Sequence, residues 1–143
     1  MADVGGRRLF KLGGVALVLL GLVHAISLFE KLVPANDTEK QLLDLLTNYK
    51  FNLMGSSRSV NDLLGGFSIS FMLAALGFGA LDLVLSGEPS GLLKRVALVN
   101  AIWLAAMTAI SAHYFFVAPT ASLEVALLIF VLASLKMPSN QTN

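Results

Sequence analysis

The run Leu63 to Leu81 holds about nineteen residues without a single charge. That is the length an α-helix needs to cross the hydrocarbon layer of a bilayer, roughly 20 residues at about 1.5 Å each. Arg58, Asn61 and Asp62 stand immediately before it. Within it Gly66, Ser70 and Ala74 recur at every fourth position, and Ala75 and Gly79 repeat the spacing. Small residues so placed let helices approach closely in lipid, where little hydrophobic drive pairs them. The stretch reads as a span made to pack against other spans.

Three further apolar runs follow the same rule, giving spans at about 10–33, 60–86, 92–117 and 120–136. The expected fold is an all-α membrane protein, a four-transmembrane-helix antiparallel bundle forming one domain over residues 1–143. Only 13% of the residues are charged, about half the share usual in soluble domains. The net charge of +1 offers no basic face for nucleic acid. The absence of cysteine removes disulfides and thiolate chemistry.

Met1 to Gly6 reads as a polar lead. The apolar run from Leu12 is longer than a signal-peptide core and lacks a small-x-small cleavage site, so a retained span is expected. Between the first two spans Leu42, Leu45, Leu46, Tyr49 and Leu53 fall at helical steps, and Asn36 with Glu39 supplies a start signal. An amphipathic surface helix over about 38–54 is predicted. Gly87 to Gly91 forms a turn, and Pro119 breaks the helical pattern at Ala118.

With four spans the two termini share a side with the loop between spans two and three. That side carries Arg7, Arg8, Lys11, Lys94, Arg95 and Lys136, against Lys31, Lys40, Lys50 and Arg58 on the other. Basic residues near span ends favour the cytoplasm, so both termini are expected inside. The outer ends of the helices then gather His24, Arg58, Asn61, Asp62, His113 and Glu124, which are the candidate ligand-binding residues. Each also has a plain role. Ser59 and Asp62 fit a capping box, Arg58 has Asp62 one turn away for an ion pair, and Glu124 meets a helix dipole. His113 and Tyr114 suit an interfacial anchor, and Trp103 packs. His24 stands inside a span, where an ionisable group needs a partner or a cavity. It is expected to reach the Arg58–Asp62 turn.

No HxxxH or ExxH spacing, serine elbow or phosphate-cradling loop is present, so no metal or cofactor is expected. Three classes of function remain. One is binding of a lipid-like or quinone-like ligand, or of a partner subunit, through the outer polar layer. The second is an acid–base enzyme of isomerase or cyclase type acting on an apolar substrate. The third is a structural accessory subunit or homo-oligomer docking through small-residue faces.

The elements LLGLVHAISLF (Leu19 to Phe29), FNLMGSSRSVNDLLGGFSISF (Phe51 to Phe71) and the HYFF that ends the third span resemble a family of uncharacterised small four-span bacterial membrane proteins. Its segment G-x-x-R-S-x-x-D-x-x-x-G-F corresponds here to Gly55, Arg58, Ser59, Asp62, Gly66 and Phe67. Where members have aromatics beside the aspartate, this chain has Asn61, Leu63 and Leu64. The layout is more distantly similar to DoxX-like four-helix proteins. The resemblance implies the four-span topology and draws attention to His24, Arg58 and Asp62. A reporter fused to either terminus should read cytoplasmic; a reading outside at either end overturns the orientation.

Overall fold

The computed structural model describes residues 2–30 and 32–138. Lys31, one of the basic residues counted above, and positions 139–143 of the polar tail lie outside the described residues. Among the described residues the order is α1 (Ala2–Ser27), α2 (Asp37–Asn48), β1 (Lys50–Leu53), β2 (Ser56–Ser59), α3 (Val60–Leu85), α4 (Ser90–Tyr114) and α5 (Val117–Lys136). Helices α1, α3, α4 and α5 are each long and apolar enough to cross a bilayer. The chain is thus a multi-pass, all-α membrane protein with a short amphipathic helix between its first two spans.

Two compact units divide the chain: residues up to Leu20 with those from Ala75 onward, and Gly21–Ala74. In the first unit α1 runs antiparallel to α3 and to α5. Gly13 and Gly14 are adjacent and serve different neighbours. A Cβ on Gly13 would lie 2.6 Å from the Phe130 ring of α5, and one on Gly14 would lie 3.1 Å from the Gly79 carbonyl oxygen of α3. Reciprocally, a Cβ on Gly79 would lie 2.7 Å from both the Gly14 carbonyl oxygen and the Val18 amide nitrogen. No side chain fits there, so α1 and α3 meet backbone to backbone. Phe10 packs edge-on against Phe130 with ring centroids 5.9 Å apart, and Gly6 faces Met137. Phe78 of α3 stacks on Trp103 of α4 at 5.2 Å, so Trp103 packs as expected. Along α4 and α5 the buried residues Leu93, Ala97, Leu104, Leu123, Ala126, Phe130 and Ala133 recur at helical spacing and complete this core.

The spacing of small residues on α3 thus has two outcomes. Ala75 and Gly79 are buried, Gly79 against α1, whereas a side chain at Gly66 would meet nothing within 4 Å. Ser70 on that second stripe spends its hydroxyl on the Gly66 carbonyl of its own helix.

In the second unit Asn36 caps α2 through Oδ1, which accepts from the Glu39 amide at 2.9 Å, while Glu39 reaches back to the Ala35 amide at 2.7 Å. This is the expected start signal. The helix stops at Asn48 and does not extend to residue 54 as its periodicity predicts. Met54 and Gly55 both take positive φ, 50° and 88°, the geometry of a two-residue hairpin turn. Strand β1 therefore pairs with β2 in the register Phe51↔Arg58 and Leu53↔Ser56. Three other boundaries shift. The polar lead is helical from Ala2, with Asp3 in the favourable first turn. Helix α1 ends at Ser27, six residues short of the predicted limit. Pro119 lies inside the first turn of α5, where a missing N–H costs no helical hydrogen bond, so the break falls earlier, at Phe115 and Phe116.

Gly79→Val should lower unfolding stability in detergent by about 1–3 kcal/mol, since the added carbons meet backbone that cannot yield. Gly77→Ala, placed in open space, should be neutral or slightly stabilising. Equal losses in thermal unfolding would remove the case for a close crossing.

Candidate functional site

The six candidate residues fall in both units. His24, Arg58, Asn61 and Asp62 belong to Gly21–Ala74, and His113 and Glu124 belong to the other unit. Asp62 is used locally. Its Oδ2 accepts from the Ser59 amide at 2.9 Å, and the Ser59 hydroxyl accepts from the Asp62 amide at 3.1 Å. This reciprocal pair is the capping box expected from the sequence, and it starts α3 at the hairpin exit.

Arg58 departs from expectation. It lies in β2 and not on α3, so it shares no helical face with Asp62. Its guanidinium donates to the Ser57 carbonyl at 2.9 Å, and among the described residues it forms no ion pair with Asp62. The cause is the hairpin, which holds Arg58 in an extended backbone opposite Phe51. Arg58 and Asn61 are both exposed.

His24 also differs from its predicted neighbourhood. Because α1 ends at Ser27, His24 occupies the last helical turn, where Ser27 Oγ donates to its carbonyl at 2.7 Å. The imidazole turns toward α3 and meets Phe71 in a T-shaped contact, with centroids 5.0 Å apart and ring planes at 76°. Phe71 lies nine residues beyond Asp62. That is roughly 13 Å along the helix, at about 1.5 Å per residue. His24 therefore sits below the Arg58–Asp62 turn and makes no hydrogen bond to it among the described residues. Its Nε2 is buried without a partner. An edge-on aromatic contact replaces only part of a hydrogen bond lost to burial.

In the other unit His113 meets Tyr114 edge-on, with ring centroids 4.5 Å apart, near the end of α4, and both are exposed, the arrangement of an interfacial anchor. Glu124 is exposed on α5, in its second turn and not its first, so a role at the helix dipole does not apply. Nearby, buried Ser111 and half-buried Thr120 join α4 to α5 through their hydroxyls at 2.8 Å. Thr120 also donates to the Phe116 carbonyl, so its oxygen is the acceptor for Ser111.

The strongest polar interactions of the first unit are ones the sequence reading left unassigned. Asp82 is 2% exposed, and its Oδ2 accepts from Asn100 Nδ2 at 2.8 Å. At the end where α1 and α4 begin, the proximal end below, Arg7 donates to the Gly87 carbonyl at 3.0 Å and to Ser90 Oγ at 3.3 Å. The Ser90 hydroxyl in turn donates to Asp3. The available signal was polarity within an apolar run: Asp82 and Asn100 interrupt spans two and three. Among the described residues no group of three or more metal-ligating side chains comes together.

No family model, curated protein or solved structure matches this chain. The interhelical Asp82–Asn100 bond gives a direct test of the site geometry. Asn100→Leu should cost about 1 kcal/mol of stability, and replacing both residues with leucine should recover part of that loss. A double variant as unstable as the sum of the two single ones would contradict the pairing.

Proposed function

We propose that this chain is a binding protein of the bacterial inner membrane, with both termini cytoplasmic. In this reading it takes a lipid-like or quinone-like ligand, or a partner membrane subunit, at the segment between its first two spans. The observation that carries the reading is the uncovered apolar surface of that segment. Among the described residues of Gly21–Ala74 only Gly21 and Ser59 are buried. Leu42 and Leu45 lie on one face of α2 and Tyr49 caps its end; all three are exposed, as are Phe29 and Val33 before the helix. Each apolar Å² removed from water contributes about 25 cal/mol, so such a face favours a cover.

The same unit also carries polar groups. Arg58 has guanidinium donors to spare, Asn61 is exposed, and His24 Nε2 lacks a partner. A quinone or a lipid ester offers the matching chemistry, an apolar body with a carbonyl oxygen that accepts such donors. The acid–base enzyme reading has less support, because the Asp62 carboxylate is engaged as a helix cap. The segment Gly55 to Phe67 supports grouping the chain with the small four-span bacterial proteins that it resembles.

Binding of a decyl-substituted benzoquinone to the protein in lipid nanodiscs should saturate. His24→Phe should weaken it about tenfold, the loss of roughly 1.4 kcal/mol expected for one hydrogen bond, at unchanged unfolding temperature. If a stoichiometric membrane partner copurifies and is lost with Leu42→Ser/Leu45→Ser, the partner-subunit form of the reading holds instead. Non-saturating uptake, identical in wild type and His24→Phe and with no partner retained, contradicts both forms.

A further inference from the structure

We propose that the proximal end of the bundle is a binding site for the phosphate of an anionic membrane lipid. It would be centred on Arg7 with Lys11 and Lys94, and framed by Arg8, Arg95 and Lys136. Six basic residues stand at this end against three acidic ones, Asp3, Asp82 and Glu88. Two of those three are already engaged, Asp82 by Asn100 and Asp3 by Ser90. Among the described residues no basic side chain here lies within 4.0 Å of a carboxylate oxygen. Six positive against three negative side chains leave this end with an excess of positive charge.

Arg7 is the fixed point of the cluster. It is half-buried, and its two hydrogen bonds go to uncharged oxygens of the α3–α4 turn and of Ser90. A guanidinium carries five N–H donors in a planar fork suited to phosphate, so donors remain. The Asp3–Ser90–Arg7 chain holds the fork in place before any ligand arrives, which lowers the ordering cost of binding. One turn further along each helix stand Lys11, four residues after Arg7, and Lys94, four after Ser90.

The apolar surroundings select a lipid over a soluble phosphate. Leu12 and Leu19 on α1, and Leu92 and Val99 on α4, are exposed and continue from the charged end into the span. They supply a surface for acyl chains beneath a headgroup phosphate, and basic residues at the ends of spans hold anionic headgroups in this way.

The test uses the full chain in a zwitterionic detergent, with phosphatidylglycerol or phosphatidylcholine added and bound lipid counted by native mass spectrometry. Phosphatidylglycerol should be retained in clear preference. Each of Arg8→Gln, Lys11→Gln and Arg95→Gln, all exposed positions, should weaken its binding about fivefold. Lys40→Gln in α2 should leave it unchanged, as should millimolar inorganic phosphate. Three results overturn the proposal: equal retention of the two lipids, an equal effect of Lys40→Gln, or displacement by inorganic phosphate. The last would identify a soluble phosphate ligand.

Discussion

Where Gly14 of α1 crosses Gly79 of α3, two helices touch through their backbones, and the rest of the first unit is built around that contact. In lipid the apolar side chains gain little by leaving their surroundings, so association depends on close packing and on polar bonds between helices. Two hydrogen-sized residues permit the approach, and a side chain on either would meet main-chain atoms. Because the crossing is this tight, Asp82, three residues beyond Gly79, is pressed against α1 at the same level as Gly14. Its carboxylate is then satisfied by Asn100 of α4. Further toward the proximal end the same alignment carries Arg7 to Gly87 and Ser90. Glycine contact, buried polar pair and terminal arginine follow in order along one seam.

The two units differ in how they meet the solvent around them. The first buries Phe10, Leu17, Leu93, Leu104 and Phe130 completely and joins Asp82 to Asn100 and Ser111 to Thr120. The second buries almost no side chain, although its hairpin and caps satisfy its backbone locally. In a span, lipid covers exposed leucine and valine at no cost. Between spans it does so only where the segment lies at the membrane surface, and the amphipathic face of α2 suits that position.

The spans were legible because bilayer thickness sets a length and an uncharged run can be counted. The capping signals at Asn36–Glu39 and Ser59–Asp62 were legible for a similar reason, each being a local bond with fixed spacing. The hairpin was not, because Leu53 continues the helical period of Leu42, Leu45 and Tyr49 while the turn is set by two positive φ angles at Met54 and Gly55. That single misreading moved Arg58 off the helix and removed its expected pairing with Asp62. The depth of His24 failed on a boundary. Helix α1 begins at Ala2 and ends at Ser27, so the same residue lies in a terminal turn beside Phe71. The Asp82–Asn100 and Arg7–Ser90 contacts are long-range in sequence, and no spacing rule links their partners.

The crossing of α1 and α3 is open to a test that leaves every side chain in place. Protein labelled with carbon-13 at the glycine α carbons, reconstituted in bilayers and studied by magic-angle-spinning NMR, should give a through-space cross-peak between Gly14 and Gly79. The sequential Gly13–Gly14 pair calibrates the transfer. A Gly14–Gly79 peak is the result this account requires. A spectrum that shows the sequential pair and lacks the Gly14–Gly79 peak would contradict it.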